Sequence, residues 1–151
     1  MKKKRTGQAN VVNRSARFEY TLGEELVVGV SLTGPETRAA RLGHIQLKGA
    51  YVSVKDGQME LHNASFSVAN NQKGGIVKTV ENRPRKLLAH AKQIERFAAA
   101  NKQGMTIVPT KLLNTGRYIK LIVALAKGKK LWDKRQTIKE RDAKRESRSL
   151  R

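Results

Sequence analysis

Basic residues are concentrated at both ends of this chain, and their distribution limits which part can build a hydrophobic core. Residues 1–17 carry six Lys or Arg and no acidic residue, while residues 127–151 carry eleven basic and four acidic residues. Residues 18–126 balance fifteen basic residues with eight acidic ones. Because blocks of like charge repel one another and resist packing, the pattern predicts three regions. They are a basic N-terminal arm (1–12), one folded domain (13–128) and a basic C-terminal tail (129–151).

The overall charge indicates the kind of partner. The formal net charge is +20 over 151 residues, an excess that favours a polyanion and nucleic acid above all. The chain contains no cysteine, which excludes disulfides and thiolate metal sites and favours a reducing compartment. The longest uncharged apolar run, Leu121–Ala126, is too short to cross a bilayer, and no apolar stretch follows Met1–Arg5 as a signal peptide requires. We therefore expect a soluble, cytoplasmic protein with no membrane partner.

Alternation of apolar and polar residues predicts short strands through most of the middle region. The expected strands span residues 17–22, 25–32, 45–54, 59–68, 105–113 and 118–126. Asp56-Gly57 and Asn114–Gly116 have the composition of hairpin turns. Residues 69–82 include Gly74-Gly75 and show no periodicity, so they are predicted to form a loop.

Two helices are predicted between these strands. Residues 33–43 have helix punctuation: Pro35 suits the first turn, Glu36 complements the N-terminal dipole, and Gly43 suits the end. The second helix is expected to run over residues 83–104 with an apolar face. Short antiparallel strands with inserted helices favour a mainly β fold with accessory helices, and a small barrel rather than a parallel α/β sheet.

The tail has weak helical signals. Thr137–Glu140 fits the Ser/Thr-x-x-Glu capping box, and Glu140 and Lys144 have favourable i,i+4 spacing. Its apolar stripe, however, consists only of Leu131, Ile138 and Leu150. Since an isolated helix of this length is marginal in water, we expect a tail that is disordered when free and becomes helical on an anionic surface.

A search of the sequence for motifs of catalysis, metal binding and cofactor binding gives no support for these functions. Gly29–Gly34 has the spacing of a phosphate-binding loop, but Pro35 and Glu36 stand where Lys and Ser or Thr would be required. No nucleophilic serine motif is found, and no two carboxylates form a recognisable acid–base pair. Three histidines lie far apart in the sequence: His44, His62 and His90. An enzyme is therefore unsupported by these motifs, as are a metal site and a cofactor.

A series of motifs nevertheless carries a family resemblance. In chain order they are Asn13-Arg-Ser-Ala-Arg17, Leu32-Thr-Gly-Pro-Glu36, Tyr51-Val-Ser-Val-Lys-Asp-Gly57, Arg83-Pro-Arg-Lys-Leu-Leu88, Ala124-Leu-Ala-Lys-Gly-Lys-Lys130, Asp133-Lys-Arg135 and Ile138-Lys-Glu-Arg-Asp-Ala-Lys-Arg145. Together they strongly resemble SmpB, the SsrA-binding protein family of bacteria, over nearly the whole chain. The motifs after residue 124 are the most specific, because generic basic composition rarely produces them.

The resemblance implies both a fold and a function. The fold would be an OB-type antiparallel barrel with accessory helices and a flexible basic tail. The family binds transfer-messenger RNA (tmRNA, SsrA RNA) at its tRNA-like domain and enters stalled ribosomes in trans-translation. The tail would enter the vacant mRNA channel at the small-subunit decoding centre and fold there. The elongation factor carrying alanyl-tmRNA would be an indirect partner.

The resemblance also implies site residues. The tmRNA-binding residues would be Asn13, Arg14, Arg17, Lys86, Leu88, Lys120, Lys127, Lys129 and Lys130. The tail residues that act at the ribosome would be Trp132, Asp133, Lys134, Arg135, Ile138, Lys139, Arg141, Lys144 and Arg145. Among them, Asp133–Arg135 match the family motif needed for peptide tagging.

Two positions depart from the family pattern. Val27 stands where the family commonly has a glutamate that contacts RNA, and Trp132 stands where many members have His or Tyr. Tryptophan keeps a planar face for stacking on a base, but it cannot carry a proton.

Structural roles are the alternative at several of these positions. Asn13 could cap or turn the chain, Leu88 could belong to a helix core, and Lys120 could be an ordinary outward side chain. Residues 2–5 could be a solvated arm or could steer RNA. Trp132 is flanked by Lys and Arg on both sides, which favours stacking over burial.

Other functions are alternatives to the one that the resemblance implies. The second possibility is a basic ribosomal protein, or a general RNA-binding OB module, which would have a similar charge. An RNA-modifying enzyme with a barrel domain is the third possibility, although the sequence supplies neither its nucleophile nor its cofactor loop.

Overall fold

A computed structural model describes residues 10–114 and 116–150; for residues 70–72 and 76–78 it defines the backbone. The helices in these residues are α1 (Arg14–Glu19), α2 (Gly34–Leu42), α3 (Ala91–Lys102) and α4 (Leu131–Ser149). The strands are β1 (Val11–Val12), β2 (Tyr20–Val30), β3 (Ile45–Gln46), β4 (Tyr51–Lys55), β5 (Gln58–His62), β6 (Ser65–Gln72), β7 (Gly75–Glu81), β8 (Arg85–Leu88), β9 (Thr106–Leu113) and β10 (Lys120–Gly128). The chain is therefore mainly β with accessory helices, as predicted.

The larger of two sheets has seven antiparallel strands in the order β1-β9-β10-β2-β8-β5-β4. Strand β4 pairs a second time with β9, with Val52 opposite Ile107, so the sheet returns on itself. Inward side chains such as Met59, Leu61 and Leu121 are fully buried in one core. The prediction of an antiparallel sheet is confirmed. Apolar and polar residues alternate in its strands because each strand has one buried and one exposed face.

The smaller sheet, β3-β6-β7, corrects the prediction of a loop over residues 69–82. Strand β7 pairs with β6 from Phe66 opposite Glu81 to Gln72 opposite Gly75. Phe66 and Val68, near the base of this hairpin, are buried, whereas residues 73–75 are exposed. A hairpin that reaches beyond the core does not need alternating apolar residues, so periodicity could not reveal it.

The first predicted strand was wrong in part. Residues 17–19 complete the helix α1, and the strand begins at Tyr20. Ala16 of α1 is buried against Val108 and Ala126. A pattern of six residues cannot distinguish a short helix from a strand when the helix is stabilised by tertiary packing.

Two of the predicted strands are each divided in the structure. Gly49, with φ +76°, lies in the turn between β3 and β4. Asn63, with φ +59°, lies between β5 and β6. The hairpin turn at Asp56-Gly57 is confirmed, since both residues have positive φ as a type I′ turn requires.

The second helix begins eight residues later than predicted. Leu87 and Leu88 lie in β8, where they pair with Val30 and Gly29 of β2. Helix α3 starts after His90, whose backbone N–H donates to Gln93 Oε1 at 3.2 Å. The apolar spacing over residues 83–98 fits a helix, but pairing with two neighbouring strands outweighs this local preference.

Helix α2 follows its predicted punctuation. Thr33 is the N-cap, and its hydroxyl accepts from the backbone N–H of Glu36 at 3.5 Å, while Glu36 accepts from the N–H of Thr33 at 3.4 Å. Gly43 ends the helix in the left-handed conformation, with φ +76°. Helix capping is therefore encoded locally here.

A buried ion cluster joins α2 to β8. Both Glu36 and Arg85 have 0% of their surface exposed. Arg83 donates two hydrogen bonds to the Glu36 carboxylate, at 2.6 and 2.9 Å, and Arg85 Nε donates a third at 3.2 Å. Burial alone would raise the pKa of Glu36, but these hydrogen bonds from Arg83 and Arg85 outweigh it and lower that pKa below 4.5. Glu36 thus has a structural role, which agrees with the rejection of a phosphate-binding loop.

Arg85 is fully satisfied within the cluster. Its other N–H groups donate to the carbonyl oxygens of Ala64, Arg83 and Glu81 at 2.8–3.0 Å. Its guanidinium also lies 3.9 Å from the centroid of the Phe66 ring. Since Arg offers five donors in a fixed plane, this one side chain ties β8, α2 and the base of the β6–β7 hairpin together.

Candidate nucleic-acid interface

The outer face of the large sheet brings together three of the predicted RNA-binding residues. Lys120 of β10 lies opposite Gly29 of β2, and Gly29 lies opposite Leu88 of β8. Lys86, two residues before Leu88, points to the same side and lies opposite Glu60. We call Lys86, Leu88 and Lys120, with Gly29 between them, the sheet group.

Gly29 allows the strands of the sheet group to present Leu88. A Cβ atom at position 29 would lie 3.3 Å from the Leu88 Cβ. Leu88 therefore leans over the glycine and keeps 55% of its surface exposed. The helix-core alternative for Leu88 is wrong, because the residue lies on the outward face of a strand.

A cavity of about 370 Å³ adjoins the sheet group and contains two residues that the sequence did not indicate. Tyr118 is 68% exposed, and the Arg117 guanidinium lies 5.5 Å from the centroid of its ring. An exposed aromatic side chain beside an arginine is suited to stacking on an unpaired base. The sequence did contain a signal for this site, because Tyr118 is an aromatic residue just after a glycine-containing turn. Tyr118 was instead predicted to begin a strand.

Arg41 of α2 holds the turn that carries Tyr118. Its guanidinium donates to the carbonyl oxygens of Asn114, Gly116 and Arg117 at 2.7–2.8 Å. Helix α2 therefore positions one rim of the cavity, although Arg41 lies more than 70 residues before that turn.

A second group of predicted residues lies at the other end of β10. Arg14 and Arg17 are exposed on α1. Lys129, just after β10, donates from its backbone N–H to Glu19 O at 3.0 Å and from Nζ to Arg17 O at 3.1 Å. This base group consists of Arg14, Arg17, Lys127, Lys129 and Lys130. A cavity of about 420 Å³ lies beside it, lined by Arg17, Tyr20, Glu25 and Lys129 among others.

The sheet group and the base group are separated along one strand. Lys120 and Lys127 are seven residue steps apart along β10, which correspond to about 23 Å of extended chain. A ligand that contacts both groups must therefore be a long polyanion rather than a small phosphate compound.

Asn13 directly precedes Arg14 of the base group, but its side chain is directed into the protein. Its side chain is only 5% exposed, and its Nδ2 donates to Leu47 O at 3.1 Å and Pro109 O at 2.8 Å. Asn13 occupies the N-cap position of α1 but makes no side-chain capping bond there. It joins the start of α1 to β9, which is a structural role that the sequence did not predict.

Val27 lies on the same outward face as the sheet group. It is 51% exposed and opposite Ile122 of β10. It therefore offers an apolar contact two residues from Gly29, where a glutamate would offer a charge.

The tail is helical from Leu131 to Ser149, and no residue of α4 is buried. Its predicted capping box is wrong: Thr137 lies inside the helix, and its hydroxyl donates to Asp133 O at 3.0 Å. Asp133 itself lies in the first turn, where a carboxylate complements the helix dipole. The disorder expected for the free tail stays a prediction.

The predicted tail residues are all accessible on α4. Trp132 is 63% exposed and Ile138 is 45% exposed. Asp133, Lys134 and Arg135 lie on successive positions, so their side chains spread over about 200° of the helix surface. The other predicted tail residues are exposed as well: Lys139, Arg141, Lys144 and Arg145. Residues 1–9 of the basic arm lie outside the described residues.

Neither a metal site nor a membrane-spanning helix is found in the described part of the chain. Residues 10–114 and 116–150 contain no group of three or more His, Asp or Glu side chains arranged to hold a metal ion. None of the helices in these ranges combines the length and the hydropathy needed to cross a bilayer.

Comparison with known proteins shows what the chain resembles. The protein-family model described as "SmpB protein" matches residues 10–151. An SsrA-binding protein of Oenococcus oeni is 42% identical over 146 residues, which cover 96% of this chain and 93% of that protein. An SsrA-binding protein of Shouchella clausii is 38% identical over 141 residues, or 93% and 89% of the two chains.

A solved structure agrees with these relatives. A chain from the work described as "tmRNA-SmpB: a journey to the center of the bacterial ribosome" superposes with a TM-score of 0.64 and is 32% identical. The superposition covers 81% of this chain and 85% of that one. By its sequence and by its fold, the chain belongs to the SmpB protein family.

Proposed function

We propose that the protein binds the tRNA-like domain of tmRNA and brings it to stalled ribosomes for trans-translation. The observation that carries this proposal is the match to SsrA-binding proteins over more than nine-tenths of the chain. The ribosomal partners would be the small-subunit decoding centre and the mRNA channel, with the elongation factor that carries alanyl-tmRNA as an indirect partner. The protein would therefore work in the cytoplasm, as a binding protein without catalysis or cofactor.

Residues 13–128 would form the RNA-binding body. We assign the sheet that returns on itself to an OB-type barrel, whose outer face carries the sheet group. The base group supplies further cations about 23 Å away along β10. Affinity would come mainly from released counterions, and specificity from the shape of a folded RNA and from contacts to unpaired bases.

The tail, residues 129–151, would act on the ribosome rather than in RNA capture. Its exposed helix carries the predicted residues on all sides, as a segment enclosed by an anionic channel requires. Trp132 would stack on a base at the decoding centre, and the basic residues further along α4 would neutralise phosphates. The N-terminal arm was predicted to span residues 1–12, but Val11 and Val12 pair with β9 as strand β1. The residues before β1 would steer RNA toward the body.

Two sets of substitutions test this division of labour. Leu88→Ala with Lys120→Ala should lower affinity for the tRNA-like domain about 10- to 100-fold, because one apolar base contact and one phosphate contact are lost. Asp133→Ala with Lys134→Ala and Arg135→Ala should leave that affinity within about twofold and stop peptide tagging. Filter binding and a reconstituted translation reaction on a message without a stop codon measure the two effects.

Lys102→Ala is the matched control, since Lys102 is an exposed lysine of α3 outside both groups. It should change neither readout by more than about twofold. Equal loss of affinity and tagging in the tail variant would show that body and tail are divided wrongly.

A further inference from the structure

A third cavity, separate from the one beside Tyr118, lies where α1 meets β4 and β9. It has a volume of about 160 Å³ and is lined by Asn13, Ser15, Glu19, Tyr20, Tyr51 and Thr106 among others. Helix α1 also carries Arg14 and Arg17 of the base group, and the outward side chains of β4 continue the face that holds the sheet group. We call this cavity the α1 cleft; through helix α1 it adjoins the base group.

The ring of Tyr51 is held in place at the cleft. It stacks on His62 of the neighbouring strand, with ring centroids 5.2 Å apart and planes inclined by 14°. His62 is fixed in turn, because its Nε2 lies 2.8 Å from Ser53 Oγ and 3.6 Å from Glu60 Oε2. One face of Tyr51 is thus backed by His62, and Tyr51 remains 42% exposed. An aromatic ring supported in this way is already ordered for stacking on a further ring.

Asn13 forms part of the cleft wall, but its amide is turned toward the protein. Asn13 Nδ2 donates to two backbone carbonyl oxygens, which can only accept. The orientation of the amide is therefore determined, and Oδ1 faces away from both carbonyls. Among the described residues, nothing donates to this buried oxygen. Because this oxygen is buried, a base in the cleft cannot reach it, and Glu19 provides the acceptor on the cleft wall.

The charge of the cleft selects the kind of donor. Glu19 lines it with a carboxylate, which accepts hydrogen bonds and repels a phosphate. Arg14 and Arg17 lie on the exposed side of the same helix, where a phosphate would be attracted instead. A nucleotide placed here would direct its base inward and its phosphate outward. Guanine suits the interior best, because its N1–H and N2 amino group present donors on one edge.

We infer that the α1 cleft binds one unstacked guanine of the RNA, next to the contacts made by the base group. The base stacks against Tyr51 and donates from its N1–H and N2 amino group to the Glu19 carboxylate. This inference rests on the proposed function, because it concerns the same RNA.

Ultraviolet crosslinking of the full chain to a transcript of the tRNA-like domain, followed by mass spectrometry, identifies the base. The expected crosslink joins a guanosine to the peptide that contains Tyr51 or Tyr20. Tyr51→Ala should then lower affinity about 5- to 100-fold, the range expected for loss of one base–aromatic stack. Tyr51→Phe keeps the ring and should stay within about twofold. Circular dichroism checks that both variants are folded.

A double-mutant cycle decides whether the two effects are one contact. With a transcript that is abasic at the crosslinked position, Tyr51→Ala should lower affinity less than about twofold relative to the wild-type protein. Independent losses that multiply, a crosslink to another base, or no crosslink in the cleft would overturn the inference. Failure of the proposed function would differ, because the wild-type protein would then bind this transcript no better than an unrelated RNA of equal length.

Discussion

The buried ion cluster around Glu36 and the exposed tail helix α4 use charge in opposite ways. In the cluster, one carboxylate is enclosed by two guanidinium groups, and the donors of Arg85 are all used within the protein. In α4, seven basic and four acidic side chains lie on a helix with no buried residue. The ion pairs between arginine and carboxylate among the described residues join Glu36 to Arg83 and Arg85 and Glu24 to Arg96, and none of them involves α4.

The difference shows which charges are available to a partner. Charges that satisfy one another inside the fold stabilise it and cannot bind RNA. Charges on α4 and on the two surface groups keep their attraction for a polyanion, because they lie at the surface and none of the ion pairs found among the described residues neutralises them. Although Arg is abundant in both regions, burial decides whether it stabilises the fold or binds the ligand.

The largest expected effect concerns the exposed charges and salt. If about eight phosphates are neutralised, log affinity for the RNA should fall against log salt with a slope near −6 to −7, or about 4 × 10³- to 2 × 10⁴-fold between 50 and 200 mM. Buried pairs are screened far less, so the free energy of unfolding should change little over this range. Filter binding and urea denaturation across a salt series measure both. A flat salt dependence of binding would contradict the electrostatic account.

The next effect concerns the cluster itself. Glu36→Ala should lower the free energy of unfolding by about 3–5 kcal/mol, because it leaves the buried Arg85 without its anionic partner. Glu24→Ala is the matched control: Glu24 pairs with Arg96 at 2.8 Å on the surface, and such pairs contribute about 0–1 kcal/mol. Urea denaturation gives both values. Similar losses in the two variants would mean that burial adds nothing to the pair.

A smaller effect follows from the lowered pKa of Glu36. Because its pKa in the folded protein lies below its ordinary value of 4.5, the pairing contributes fully above pH 4.5. The contribution is lost as the pH falls through the lower, folded-state pKa. Glu36→Gln should therefore be less stable than the wild type at neutral pH, and the gap should narrow in acid. Thermal unfolding from pH 7 to pH 2.5 tests this, and a gap that widens in acid would reverse the assigned direction.

The smallest effect is expected from the tail alone. A peptide of residues 129–151 has four exposed acidic and ten basic side chains and little apolar surface, so its helicity in water should be marginal. Addition of a polyanion such as heparin should raise the helical signal in circular dichroism. Strong helicity of the peptide without any partner would contradict folding on the anionic surface.

Sequence patterns predicted the parts of the fold that depend on neighbours in the chain. The limits of α2 follow from Thr33, Pro35 and Gly43, and the turn at Asp56-Gly57 follows from two residues that tolerate positive φ. The β6–β7 hairpin was missed because its outer part does not alternate. The candidate site was predicted in part, since Leu88 and Lys120 do share one face, whereas Tyr118 and the α1 cleft were not expected.

Charge placement, hairpin chemistry and helix caps are local properties, and they can be read from the order of residues. The assignment of residues 85–88 to a strand and the burial of Glu36 depend on partners far away in the chain. The meeting of Asn13 with Tyr51 at one cleft likewise depends on how α1 packs against two strands. Such contacts form only when separate segments bury their apolar faces together, and that choice depends on the free energy of the whole core rather than on the preference of any one segment.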